Sequence, residues 1–143
     1  MRKSRGFSLL ELLIVVAIIL IIATIAIPSL LRSRQAANET AAVATLKQIN
    51  TAEVTYSSAA RSVYGTLNTL ITAGLLDSSL LNTKAGYNYN VELSSNQLNY
   101  TATATANTAM LGRFDYYTAP DYLIRYSTDS TRAPSALAGE PVR

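Results

Sequence analysis

The run Phe7-Ser8-Leu9-Leu10-Glu11-Leu12-Leu13-Ile14-Val15-Val16-Ala17-Ile18-Ile19-Leu20-Ile21-Ile22-Ala23-Thr24-Ile25-Ala26-Ile27-Pro28 decides how the rest of the chain is read. Its 21 residues from Phe7 to Ile27 are about the length that crosses a bilayer core as a helix. They are apolar on every side, which suits burial in lipid rather than one wetted face. Two features set the run apart from a plain greasy helix. One carboxylate, Glu11, lies inside it, and a short basic leader with Arg2, Lys3 and Arg5 ends at Gly6 directly before it.

A secretory signal peptide has a core of roughly 7–15 apolar residues and then a small-residue cleavage site. Here the core is longer, and Ala23 to Ile27 leads into Pro28 and a helical pattern. An ordinary membrane anchor explains the length but not the acid. A carboxylate at mid-span costs roughly 2.5–3.5 kcal/mol even on the lenient insertion scale. Glu11 therefore needs a partner or a shallow position.

Gly6-Phe7-Ser8-Leu9-Leu10-Glu11, with the basic leader, the apolar run and Pro28, resembles the N-terminus of type IV prepilins and of the related type II secretion pseudopilins. The close match covers residues 1 to about 31; beyond it the likeness is one of layout. The resemblance implies cleavage between Gly6 and Phe7 by a prepilin peptidase on the cytoplasmic side, N-methylation of Phe7, and assembly through Phe7, Glu11 and Pro28. The leader's charge suits retention on the cytoplasmic side. Cleavage leaves one ammonium at the helix start, a suitable partner for Glu11 of a neighbouring subunit. Members of the family often carry a glycine mid-run, where this chain has Leu20. Loosening of the helix between that position and Pro28 is thereby in doubt, although Pro28 alone still favours some.

Composition narrows the function classes. The formal charge is +3, and the leader supplies three cations, so the remaining side chains balance. The sequence pI of about 9.3 thus belongs to the precursor, and no basic stripe remains for nucleic acid. The absence of Cys excludes disulfides and thiolate metal sites. The absence of His removes the commonest general base and metal ligand. No nucleophile-elbow, P-loop or dinucleotide motif occurs. No catalytic residue, cofactor or metal is expected, and the chain is not read as an enzyme.

After Pro28 helicity resumes, because Ser29 to about Ala60 holds no Gly or Pro. Ala42, Leu46, Ile49, Tyr56 and Ala60 recur at helical spacing and mark one apolar face. Ala36, Ala37, Ala41 and Ala44 keep the helix slim. Arg32, Arg34, Glu39, Lys47 and Glu53 read as mostly a solvated face; Arg32 and Arg34 also stand where lipid headgroups, or an acid of another subunit, would be. The helix should end by Gly65. Thr66 is a candidate cap for a short helix with Leu67, Leu70 and Ile71 inside and Gly74 closing it, and Asp77 for a further turn through Leu81.

From Tyr87 the period becomes two. Tyr87, Tyr89, Val91 and Leu93 alternate with Asn88, Asn90 and Glu92. Strands are expected at Leu98–Ala106, Arg113–Thr118 and Tyr122–Ser127, with turns at Ser94–Gln97 and Ala119–Asp121. The stretch from Thr128 to Arg143 is expected to be a loose tail. The tyrosines suit strand packing rather than electron transfer. Asp115, Asp121 and Asp129 lack the glycine-bearing acidic loop of a calcium site and read as solvated acids. The acceptor patterns at Asn38 and Asn99 are short enough to arise by chance.

The expected architecture is α+β and type IV pilin-like, a long N-terminal helix packed on a small antiparallel sheet. It divides into a leader at 1–6, a hydrophobic transmembrane and assembly helix at 7–28, and a globular domain at 29–143. The first functional reading is a pilin that polymerises into a surface filament, with copies of itself, the peptidase and the membrane assembly machinery as partners. The second is a pseudopilin forming a short periplasmic fibre. A monomeric anchored binding domain or enzyme is the third, opposed by Glu11 and by the missing His and Cys. In the first two the subunit waits as a single-pass protein of the cytoplasmic membrane.

Overall fold

The computed structural model describes residues 6–127 and 140–142. The chain forms two compact units, Met1–Arg34 and Gln35–Arg143. One helix, α1 (Leu9–Ala59), contributes to both.

In the first unit the helix passes through Pro28 without a break. Proline offers no N–H, so the Thr24 carbonyl loses its usual partner four residues on. The Thr24 hydroxyl donates to the Ile21 carbonyl at 2.7 Å. The stretch from Leu20 to Pro28 is helical throughout. The large apolar side chains from Leu9 to Leu31 stand exposed, and this is the one helix among the described residues long and apolar enough to cross a membrane.

The second unit is built on a stripe of α1. Ala42, Leu46 and Ile49 are fully buried, in one cluster with Tyr87, Tyr89, Val91, Tyr100, Ala102, Ala104 and Tyr116. The sheet is an antiparallel meander of five strands in sequence order: β1 (Tyr87–Leu93), β2 (Tyr100–Ala106), β3 (Asp115–Thr118), β4 (Arg125–Ser127) and β5 (Glu140–Pro141). The β1–β2 register sets Tyr89 against Ala104 and Val91 against Ala102, so large residues of one strand stand beside small ones of the next on the buried face. Residues along β1 alternate between buried and exposed, as the period of two predicts. Thr66 caps α2 (Leu67–Thr72) by accepting from the Thr69 N–H, and Asp77 caps a 3₁₀ turn (Ser78–Leu81) by accepting from the Ser79 N–H. Gly74 has φ +73°, the left-handed conformation expected after a helix end.

Several expectations are corrected. Glu39 and Glu53 are not on a solvated face: they are 7% and 0% exposed. Both continue the buried stripe at helical spacing. Glu39 accepts from the Arg113 backbone N–H at 2.8 Å and holds its guanidinium at 3.1 and 2.9 Å; Glu53 accepts from the Gly65 N–H at 3.0 Å. As expected, the helix ends before Gly65, at Ala59; beyond it Arg61 and Ser62 take left-handed φ of 56° and 66°, and the Ser62 N–H reaches the Ser57 carbonyl. Strands β2, β3 and β4 are shorter than expected. In front of β2, Asn99 and Leu98 are consumed by a turn in which the Asn99 N–H bonds the Ser94 hydroxyl and the Leu98 N–H bonds Asn96. Asp115 is not solvated. It is 1% exposed, and its Oδ1 accepts from the Ala106 N–H at 2.8 Å. Part of the expected tail is a strand: Glu140–Pro141 pairs with β4, and the Val142 N–H bonds the Ile124 carbonyl. Residues 128–139 and Arg143, with Asp129, lie outside the described residues.

The stripe also fixes the loop before β3. The Gln35 and Asn38 amides donate to the Ala109 and Leu111 carbonyls at 2.9 and 2.8 Å, just ahead of the Glu39–Arg113 pair. Replacing Glu39 by Ala removes three acceptor contacts and leaves the Arg113 backbone N–H without its carboxylate. We expect a loss of about 2 kcal/mol, read as a lower urea midpoint for the detergent-solubilised full chain with an unchanged denaturant slope.

Candidate functional site: the start of the N-terminal helix

Ser8 stands immediately before α1 and Glu11 lies in its first turn. The first backbone N–H groups of a helix have no intrahelical acceptor, and here side chains supply two. The Ser8 hydroxyl accepts from the Leu10 N–H at 3.3 Å. The Glu11 Oε2 reaches back to the Ser8 N–H at 3.0 Å. Together they form a capping box, with a hydroxyl before the helix and a carboxylate three residues later. Reading Glu11 only as an intramembrane charge passes over this local role. Its signal is the Ser8-x-x-Glu11 spacing in front of an apolar run.

The carboxylate is also well placed against the helix dipole, whose N-terminal end favours negative charge. Glu11 is exposed, and one of its two carboxylate oxygens is used by the Ser8 N–H. Phe7 is 76% exposed. Gly6 has open space around it: a Cβ there would meet nothing within 4 Å. Nothing among the described residues therefore requires glycine at that position.

Phe7 and Glu11 thus share one end of the helix. Pro28 does not join them; seventeen positions along α1 it stands roughly 26 Å from Glu11 at the helical rise. Arg32 is twenty-one positions from Glu11, roughly 31 Å, which is close to the thickness of a bilayer core. Among the described residues no group of three or more carboxylate, His or Cys side chains converges to hold a metal. Asp121 instead pairs with Arg125, and that guanidinium holds its carboxyl below the usual range.

Residues 1–27 match the prokaryotic N-terminal methylation motif.

This prepilin-type segment contains Gly6, Phe7, Ser8 and Glu11 and ends one residue before Pro28. Over 46 residues the chain is 54% identical to the type IV wide pilus major component PilA4 of Thermus thermophilus. The similar segment is 32% of this chain and spans about a third, 35%, of that relative. No solved structure matches the chain.

Proposed function

We propose that the chain is the structural subunit of a type IV pilus. The observation that carries this reading is the methylation motif laid over a capped, wholly exposed apolar helix start. The similarity to a pilus component favours a surface filament over the short periplasmic fibre of a pseudopilin.

In this reading residues 1–6 are a leader, 7–28 drive assembly and 29–143 form the globular part. Before assembly the subunit spans the cytoplasmic membrane once, leader inside. Glu11 then lies near the inner headgroups and Arg32 near the outer ones, so neither charge rests at mid-bilayer. Entry into the filament takes Glu11 away from that wetted level, and the Phe7 ammonium of a neighbouring subunit becomes its partner. Copies of this chain, a prepilin peptidase and the membrane assembly machinery are the partners.

The freedom of space at Gly6 supports processing there, since the demand for a small residue then comes from an enzyme that handles the segment. Mass spectrometry of filaments should find Phe7 at the N-terminus, carrying one methyl group. Met1 retained in assembled material, or cleavage beyond Ala23, would overturn the processing step. Electron microscopy of the wild type and a deletion strain tests the filament itself: surface fibres should be lost on deletion.

A further inference from the structure

Glu53 has no part in that assembly reading, and its surroundings are unusual for a carboxylate. It is fully buried. Its Oε2 accepts from the Gly65 N–H at 3.0 Å, while Oε1 has no hydrogen-bond partner among the described residues. No cation forms an ion pair with it among those residues. The titratable groups around it are Tyr64 of the 60–66 connection and Tyr100 of β2, with Tyr122 and Asp121 beyond them. None of these is cationic; Tyr56 of α1 packs beside Gly65, the connection's own Arg61 is exposed, and Asp121 is already paired with Arg125.

The connection it holds is under tension from its own backbone. Arg61 and Ser62 are both left-handed, a conformation L-residues adopt only against a steric cost between Cβ and the following carbonyl. Tyr64 and Gly65 are each tied by one backbone N–H, that of Tyr64 to the Gln97 carbonyl at 2.9 Å and that of Gly65 to Glu53, and the Tyr64 ring packs edge-on against Tyr100 with centroids 4.7 Å apart. Gly65 is packed so closely that a Cβ there would stand 3.3 Å from Leu70 and Tyr56.

We propose that Glu53 is a proton-operated latch: its protonated carboxyl holds the 60–66 connection closed on α1, and loss of the proton frees that connection. A neutral carboxyl still accepts the Gly65 N–H and leaves only one modestly costly polar atom unpaired. An anion in the same place is buried with one hydrogen bond and no counter-charge, which is far less favourable. Opening lets water reach Oε1 and releases the left-handed pair.

Burial raises the Glu53 carboxyl from the ordinary 4.5 to about 7, against the opposite pull of the Gly65 N–H. The closed form therefore binds more protons than an open form whose Glu53 is solvated. Closure is strongest below the open-form value, weakens as pH rises between the two, and stays weak above the closed-form value. Between about pH 5.5 and about pH 8.5 the open fraction should rise about thirtyfold.

Trypsin reads this directly, since Arg61 lies in the connection and is exposed. The full chain in detergent micelles is cut at both pH values, and the Arg61–Ser62 scission, identified by fragment mass, is scaled to the enzyme's rate on a short peptide. With opening faster than cleavage, the scaled rate follows the open fraction. Wild type should show the thirtyfold rise and Glu53→Gln a flat profile. An equal rise in the variant, or a flat wild type, overturns the latch. If the variant is cut fast at both pH values, wild-type hydrogen exchange decides. Protection of the Gly65 amide should fall by a similar factor while that of Leu70, bonded to the Thr66 carbonyl, stays constant; unchanged Gly65 protection overturns the proposal.

Discussion

Glu11→Ala subunits should enter the membrane at least as well as wild type and fail to build filaments. Insertion improves because an acid is removed from the end of an apolar run. Assembly fails because, in the proposed filament, the Phe7 ammonium enters the packed core without its counter-charge. Breaking one half of a buried pair typically costs about 3–5 kcal/mol, which raises the subunit concentration needed for growth by roughly a hundred- to several-thousandfold. The capping box complicates the alanine variant. Glu11 also accepts from the Ser8 N–H, so alanine loses a cap contact worth about 1 kcal/mol as well as the charge.

Glu11→Gln separates the two losses, since glutamine fills the same place in a capping box without the negative charge. If the charge matters, both variants should stop filament growth. If only the cap matters, glutamine should assemble normally. Mixing mutant with wild-type subunits tests for pairing across chains, because a pair within one helix would not depend on neighbours. Normal filament number and length from processed Glu11→Ala would remove Glu11 from assembly altogether. Counting filaments by electron microscopy, beside a check of processing by mass spectrometry, gives each of these outcomes.

Gly112→Ala should unfold the second unit or come close to it. A Cβ at Gly112 would overlap the Tyr87 hydroxyl and stand 2.5 Å from its ring carbon Cζ. Tyr87 cannot step aside cheaply. It is fully buried, its hydroxyl donates to the Phe114 carbonyl at 2.8 Å, and its ring lies 6.1 Å from that of Tyr116. Forcing extra volume into a packed core typically costs about 1–3 kcal/mol. Here the displaced hydroxyl also loses its acceptor, adding about 1 kcal/mol or more. A total of about 2–4 kcal/mol is a large fraction of the stability of a small domain. A urea titration of the full chain in detergent should show the loss. Tyr87→Phe combined with Gly112→Ala should recover part of it, since the clash with the hydroxyl is then removed. A singly substituted Gly112→Ala chain as stable as wild type would show that the loop around 112 moves freely away from β1.

The sequence by itself determined the elements whose signals are local. The 21-residue run Phe7–Ile27, apolar but for Ser8, Glu11 and Thr24, calls for a helix in a lipid setting, because there the backbone must satisfy its own hydrogen bonds. The alternation from Tyr87 to Leu93 specified a half-buried strand, and Thr66 and Asp77 marked helix starts through side-chain oxygens acting on N–H groups two or three residues ahead. Even the Ser8–Glu11 cap is local and readable from spacing. Tertiary structure alone decided the fate of groups whose partners are distant in sequence. Glu39 and Glu53 share the helical stripe of Ala42, Leu46 and Ile49, so periodicity pointed inward while their charge pointed to water. What settled the conflict was a donor on another element in need of an acceptor: Arg113 lies 74 positions from Glu39 and Gly65 twelve from Glu53. Asn50 is decided in the same way, buried between the Tyr100 hydroxyl and Thr118 at 2.8 and 2.9 Å. A buried polar group is tolerable only when a partner is brought to it, and no periodicity along one segment reveals which distant segment brings it.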